Sequence, residues 1–159
     1  MADGTGSPGA DRGWPERPPI IVSACLLGVR CNHRGEASPS DAVAKLGDAH
    51  RLIPVCPETA GGLPTPRPPA ERRPDGSVRT VDGSDVTDAY RRGADTAVAL
   101  ARSTGARRAV LKARSPSCGC HEIYDGFFAR RRVPGQGITA EALRAAGLDV
   151  CSDEDLAGP

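Results

Sequence analysis

Three of the six cysteines in this 159-residue chain come shortly after apolar runs that are typical of buried strands. Cys25 and Cys56 each follow such a run directly, and Cys118 lies a few residues beyond a third one. Ligands of open parallel sheets bind beyond the carboxyl ends of the strands, so we expect the three thiols to converge on one point. Soft sulfur ligands select zinc, copper(I) or iron–sulfur clusters, and three protein ligands would leave one coordination position open. The alternative is that these cysteines are small hydrophobic residues of the core.

The other three cysteines have less defined positions. Cys120, two residues beyond Cys118, is a candidate fourth ligand, a catalytic thiol or a bystander. Cys31 lies in the loop after the first strand, where it would either approach the same site or remain a loop thiol. Cys151 follows the weakest of the predicted strands, and we interpret it as a packing residue.

Polar residues suited to proton transfer and anion binding stand near two of the thiols. Glu58 is two residues past its cysteine, so its carboxylate would stand beside a metal bound at that strand end. Ser115 and Ser117 precede the third cysteine, and Gly119 would let backbone amides approach a bound anion. Arg67 lies on a stiff proline-rich loop, where its guanidinium would grip a planar or acidic group.

The elements that must position these residues alternate between strands and helices. Strands are predicted at 20–24, 52–55, 109–112 and 148–150, and helices at 40–46, at 85–103 and from Thr139 to a C-cap at Gly147. Pro54 disfavours the second strand because proline cannot donate to a sheet ladder. The alternation predicts an α/β fold, a small Rossmann-like parallel sheet flanked by helices, with the site at the carboxyl ends of the strands.

Two stretches fall outside this alternation. Residues 57–84 form a proline-rich loop followed by a predicted small hairpin at 78–81 that turns through Asp82 and Gly83. A loop of that length inside a compact domain is usually functional or disordered, and we expect it to be functional. Residues 1–19 contain glycine, proline and charge without a pattern, so we expect a disordered tail before a single α/β domain at 20–159.

Composition excludes several classes of protein. The longest apolar stretch, at 20–29, is interrupted by Ser23 and spans about ten residues, far fewer than the roughly 20 that a membrane helix needs. Residues 1–19 have no apolar segment of the kind found in secretory signals, so we expect a cytoplasmic protein whose cysteines stay reduced. The formal net charge of +1 makes nucleic acid an improbable partner. The oligomeric state is left open.

Five ordered motifs resemble those of the thiouracil desulfidase family, a bacterial family first described as a domain of unknown function. They are VSACLLG at 22–28, VCPETAGGLPTPR at 55–67, DVT at 85–87, SPSCG at 115–119 and IYDG at 123–126. The resemblance runs from about residue 20 to residue 156 and therefore covers nearly the whole of the predicted domain.

The resemblance implies a cofactor, a reaction and roles for named residues. It implies a [4Fe-4S] cluster held by the cysteines at 25, 56 and 118, whose free iron takes the sulfur of a small thiolated pyrimidine. Water then attacks the ring carbon, and hydrosulfide leaves without net redox change. Glu58 and a serine of 115–117, either Ser115 or Ser117, are the implied proton-transfer groups. We expect Ser23, Arg67 and Gly119 to contact the substrate.

Two other functions compete with a desulfidase. One is a non-catalytic zinc or sulfur-carrier module in which Cys120 completes a closed tetrahedral site. The other is a sulfur-transfer partner in RNA thiolation, although the near-zero net charge argues against a nucleic-acid surface.

Overall fold

The computed structural model describes residues 17–156 of the chain. Most of the predicted tail at 1–19 therefore lies outside the described residues, and its last member, Pro19, belongs to the first strand. No helix within 17–156 combines the length and the apolarity that crossing a bilayer requires.

Within residues 17–156, eight strands and four helices follow one another. In chain order they are β1 (Pro19–Ser23), α1 (Asp41–Lys45), β2 (Arg51–Val55), α2 (Pro57–Ala60), β3 (Ala70–Arg72), β4 (Val78–Thr80), α3 (Thr87–Thr104), β5 (Arg108–Leu111), β6 (Glu122–Tyr124), β7 (Arg132–Pro134), α4 (Ile138–Ala145) and β8 (Asp149–Ser152). Short 3₁₀ turns follow β1, α1 and β8.

The centre of the fold is a four-stranded parallel sheet in the order β2-β1-β5-β8. The apolar runs of β1 and β5 are almost fully buried because helices cover the sheet, and this continuous burial is why β-branched residues dominate both strands. The predicted α/β fold with a Rossmann-like parallel sheet is thus confirmed. Pro54 is accommodated because β2 is an edge strand, where one side of the backbone needs no ladder partner.

Helix α3 supplies much of the core with small side chains. Ala94, Ala97 and Ala101 are each at most 2% exposed, and their spacing places them on one face of the helix. The helix ends at Gly105, which adopts a left-handed φ of 77°. Tyr90 is the one aromatic residue among the largest fully buried side chains of the described chain.

Two glycines let α2 lie directly against α3. A Cβ atom on Gly61 would stand 1.9 Å from the Ala89 carbonyl oxygen, and one on Gly93 would stand 1.8 Å from that of Pro57. Such distances exclude any side chain, so the two backbones touch at this point. The contact fixes the short helix that carries the second strand's cysteine and Glu58.

The hairpin prediction was wrong in its pairing. Strand β4 pairs with β3, which precedes it, and the chain reverses at 73–77. The turn at Asp82 and Gly83 does form, with the Gly83 N–H donating to Thr80 at 2.9 Å, but beyond it there is only an isolated bridge between Arg79 and Asp85. The hairpin of β6 and β7 was not predicted, because both strands are short and carry charged residues in place of an alternating apolar pattern.

Helix α4 begins one residue before the predicted start. Gly137 is its N-cap, and Thr139 lies inside the first turn with its side chain fully buried. At the other end the C-cap is Ala146, one residue before the predicted Gly147. Gly147 follows it with a left-handed φ of 95° and donates its N–H to the Arg144 carbonyl at 2.9 Å.

Candidate active site at the strand ends

One cavity of about 410 Å³ opens at the carboxyl ends of the parallel strands. Cys25, Cys56 and Cys118 all line it. Cys25 lies in the 3₁₀ turn after β1, Cys56 is the N-cap of α2 directly after β2, and Cys118 lies in the turn that follows β5. The topology of the sheet therefore places these thiols on a shared surface although they are distant in sequence.

The three sulfurs do not all lie within 4.8 Å of one another. Within residues 17–156, only one group of Cys, His, Asp and Glu ligand atoms lies mutually within 4.8 Å, and none of these three cysteines belongs to it. A cluster differs from an ion because each thiolate binds a separate iron, so its ligands stand further apart. Three soft thiols around one cavity are a donor set that suits an iron–sulfur cluster.

Two of the three thiols, those of Cys25 and Cys118, are shielded from water. Burial raises the pKa of the Cys118 thiol to about 12, and a hydrogen bond with Ser23 opposes part of that rise. Burial and the neighbouring Cys56 raise the pKa of Cys25 to about 11. Buried thiols become ligands only when a metal centre displaces their protons, so metal binding here is coupled to proton release.

A fourth thiol, that of Cys31, also lines the cavity and is 7% exposed. The Cys56 thiol donates to the Cys31 carbonyl oxygen at 3.6 Å, and burial together with Cys56 raises the pKa of Cys31 to about 12. The sequence left open whether Cys31 approaches the site or remains a loop thiol, and in the structure it lies close to the site.

Cys120 and Cys151 lie elsewhere. Cys120 lines a separate cavity of about 270 Å³, so it does not stand with the three thiols as a fourth ligand. Cys151 lies on β8 and packs against the hydrophobic cluster that contains Ile20, Val22 and Val110, in agreement with its interpretation as a packing residue.

Glu58 is held between two side chains. Arg67 donates from Nε to Glu58 Oε1 at 2.8 Å, and the Tyr90 hydroxyl is hydrogen-bonded to the same carboxylate. Burial raises the pKa of Tyr90, and the negative charge of Glu58 adds to the rise, so this hydroxyl remains a proton donor. Arg67 also donates to the carbonyls of Cys31 and Pro64 and to the Thr65 hydroxyl, at 2.8, 3.1 and 3.0 Å.

The two candidate serines occupy different environments. Ser115 lines the cavity, and its Oγ accepts hydrogen bonds from the N–H groups of Ser117 and Cys118, both at 3.0 Å. The Ser117 side chain does not line the cavity: it is 1% exposed, and its Oγ lies 3.0 Å from that of Thr139. The structure therefore brings Ser115 to the thiols and places Ser117 between the turn and α4.

Of the three predicted substrate contacts, two line the cavity and one does not. Ser23 lines the cavity while its Oγ accepts from the Lys112 N–H at 2.9 Å, and Arg67 lines the cavity as well. Gly119 does not line it. Its N–H donates to the Ser115 carbonyl at 2.9 Å, and an added Cβ would stand 2.9 Å from the Glu122 carbonyl oxygen, so Gly119 serves close packing.

Several further cavity residues were not among the predicted site residues, and they include His33, Glu71, Tyr90 and Tyr124. Glu71 accepts from the N–H groups of Gly126 and Phe128 at 3.0 and 3.1 Å, which attaches the loop after β6 to strand β3. Burial and the nearby Arg34 lower the pKa of His33, which favours its neutral form. The helical periodicity of α3 indicated that Tyr90 is buried, but not that it faces a carboxylate.

Fold and site together define a class of protein, namely a small parallel α/β protein whose strand ends carry a cavity lined by thiols, a carboxylate and a hydroxyl. A model of the 2-thiouracil desulfurase family matches residues 20–155, so the chain belongs to that family.

Two relatives match most of the chain. One is the uncharacterized protein YbbK of Bacillus subtilis (strain 168), 38% identical over 146 residues, which cover 86% of this chain and 97% of YbbK. The other is a solved structure of TudS, described as a [4Fe-4S]-dependent thiouracil desulfidase. It superposes with a TM-score of 0.82 at 44% identity over 89% of this chain and 96% of TudS.

Proposed function

We propose that this chain is a [4Fe-4S]-dependent desulfidase that removes the sulfur of a thiouracil-like pyrimidine as hydrosulfide, without net redox change. The observation that carries the proposal is the presence of Cys25, Cys56 and Cys118 in one cavity with Glu58 and Ser115. Membership of the 2-thiouracil desulfurase family and the likeness to TudS support it.

The same three cysteines would hold the cluster. Three thiolates for four irons leave one iron without a protein ligand. The chemistry that such an iron supplies is that of a thiophilic Lewis acid, which polarises a carbon–sulfur bond as zinc polarises a carbonyl. Water and the thiolated ring are consumed, and the oxo ring and hydrosulfide are formed. The reaction needs no oxidant or reductant.

Glu58 is the group we assign to proton transfer. Glu58 follows Cys56 by two positions in the sequence, and Arg67 and Tyr90 hold its carboxylate in position. In the balanced reaction, a water proton passes to the carboxylate as the oxygen bonds to the ring carbon. The same proton is then available to the departing sulfur or to a ring nitrogen.

Ser115 is the serine that we assign to the substrate. Its oxygen already accepts two backbone N–H groups, so its own proton is free to donate to a ligand in the cavity. Ser117 and Gly119 instead hold the turn that carries Cys118. Arg67 has four hydrogen bonds within the protein, and we assign it to positioning Glu58.

A cavity of about 410 Å³ suits a small ring compound. With Tyr90, Tyr124 and His33 among its lining residues, the wall offers flat surfaces for a planar heterocycle. A thiolated nucleobase is therefore the substrate class that we propose, and 2-thiouracil and 4-thiouracil are the compounds to test first.

Anaerobic purification and reconstitution test the cofactor. The protein should be brown and contain about four iron atoms per chain, the stoichiometry of the cluster. It should release hydrosulfide from at least one of the two thiouracils in proportion to its iron content. A protein that stays colourless after anaerobic reconstitution would contradict the proposal.

A further inference from the structure

A second set of metal-ligating side chains lies outside the proposed desulfidase site. Ligand atoms of Cys120, His121 and Asp155 all lie within 4.8 Å of one another, which is the spacing of donors around a single ion. They are a buried thiol, an exposed imidazole and an exposed carboxylate. None of the three lines the 410 Å³ cavity, and the desulfidase proposal uses none of them.

Two of the three donors, Cys120 and His121, line a second cavity. This second cavity, of about 270 Å³, is lined by Cys120 and His121 together with Ser152 and Glu154. It provides room for water or a small ligand next to the donors. The thiol side of the cluster is 5% exposed and therefore shielded, whereas the imidazole side is open to entry of an ion.

The rest of the protein fixes both ends of the cluster. Arg144 donates from Nη1 to the Cys120 carbonyl at 2.9 Å, and this bond holds the backbone of Cys120 in place. The Ser152 N–H donates to Asp155 Oδ2 at 2.8 Å, and His121 Nε2 lies 2.8 Å from the same oxygen. Donors that are oriented in advance lose little freedom when they bind an ion.

We propose that Cys120, His121 and Asp155 bind one zinc ion, with a fourth position open to the adjacent cavity. Sulfur, nitrogen and oxygen from these residue types are the donors that zinc takes, whereas magnesium and calcium take oxygen alone. The ion would attach the chain beyond Cys118 to the 3₁₀ turn Asp153–Asp155 after β8. It would therefore brace the turn that presents the third site thiol.

Zinc uptake by the iron-loaded protein tests this site, because the iron would already occupy the thiols of Cys25, Cys56 and Cys118. Wild type, Cys120→Ser, His121→Gln and, as the matched thiol control, Cys151→Ser would each be incubated with zinc chloride, desalted and assayed for zinc and iron. Wild type and Cys151→Ser should retain about one zinc per chain, and the other two variants should retain none. His121 is exposed at the surface, so its replacement does not threaten folding.

No zinc uptake by wild type would overturn the inference. So would uptake that either Cys120→Ser or His121→Gln leaves unchanged, or an equal loss of zinc in Cys151→Ser. The measured quantity is the difference in zinc between wild type and variant, which does not depend on desulfidase activity. Failure of the zinc site and failure of the desulfidase proposal are thus separate results.

Discussion

Arg67 donates from Nε to Glu58 Oε1 at 2.8 Å, with only 5% and 14% of the two side chains exposed. The same guanidinium donates from Nη2 to the Cys31 carbonyl oxygen, also at 2.8 Å. One side chain thus joins the carboxylate that we assign to proton transfer to the loop that follows β1. Because Cys56 donates to that same carbonyl, the arginine also braces the backbone beside a site thiol.

Replacing Arg67 with lysine should impair both stability and turnover. Lysine keeps the charge but cannot reproduce the planar fork that reaches Glu58 and Cys31 together. Because the pair is largely buried, we expect the free energy of unfolding to fall by about 2 kcal/mol, less than for complete loss of one partner. We expect kcat to fall roughly 10-fold or more through misplacement of the carboxylate. Denaturant unfolding and initial rates measure the two effects.

Arg132→Lys is the control for this change. Arg132 pairs with Glu122 at 3.1 Å, but the two side chains are 49% and 43% exposed. An exposed pair contributes about 0–1 kcal/mol, so this variant should resemble wild type in both assays. Equal losses in the two variants would contradict a special role for Arg67.

Glu58→Gln should separate chemistry from cofactor binding. Glutamine preserves the shape of the side chain but cannot take up a proton, and general acid–base catalysis typically contributes about 10²- to 10⁴-fold. We therefore expect kcat to fall by about that factor while iron per chain stays at the wild-type value. A variant with normal iron and a kcat close to that of wild type would remove Glu58 from the proton-transfer role.

The two serines of the SPSCG motif give a matched pair of variants. Ser115→Ala removes the cavity hydroxyl and leaves two N–H groups of the turn without their acceptor, so kcat per bound iron should fall about 100-fold. Ser117→Ala removes only the contact with Thr139 and should lower the free energy of unfolding by about 1 kcal/mol with little change in kcat. The opposite order of effects on kcat would reverse the assignment.

Gly93→Ala should distort the site from a distance. The added methyl would meet the Pro57 carbonyl oxygen at 1.8 Å, so α2 must move away from α3 and carry Glu58 with it. Overpacking of this kind costs about 1–3 kcal/mol, and we expect a loss at the upper end of that range together with reduced kcat. Gly47→Ala is the control, because its methyl would meet only the Leu52 side chain, at 3.4 Å from Cδ1. Equal stability of the two variants would contradict the close contact of the helices.

Serine substitutions of the cysteines should sort them by ligand role. Cys25→Ser, Cys56→Ser and Cys118→Ser should each lose most of the iron, because a cluster with two thiolates is poorly held. Cys31→Ser is the most demanding control: its thiol lines the same cavity but should not be needed for four irons. Iron analysis after anaerobic reconstitution measures the outcome, and loss of iron in Cys31→Ser would show that it is a ligand.

Much of the fold could be predicted because its signals are local. The β-branched run of β1 and the small-residue face of α3 each lie within one continuous segment of the sequence. The convergence of the three thiols followed from a general property of parallel sheets, that strand ends share one edge. No contact between distant residues had to be known for either inference.

The rest of the site depends on contacts that sequence spacing does not encode. Helical periodicity marks Tyr90 as buried, but only the packing of α2 on α3 brings its hydroxyl to Glu58. Ser115 and Ser117 are equivalent in sequence until the turn bends one toward the cavity and the other toward α4. The β3 segment, Ala70–Arg72, has no strand pattern of its own, so its pairing with β4 was missed.

A single-turnover reaction tests the central claim most directly. The anaerobically loaded protein would be mixed with less than one equivalent of 4-thiouracil, and in parallel with 2-thiouracil, without any electron donor or acceptor. Uracil and hydrosulfide would then be quantified. The proposed function predicts equal amounts of the two products from at least one substrate, and none from Cys118→Ser. Absence of conversion with both substrates, or conversion only when a reductant is added, would contradict it.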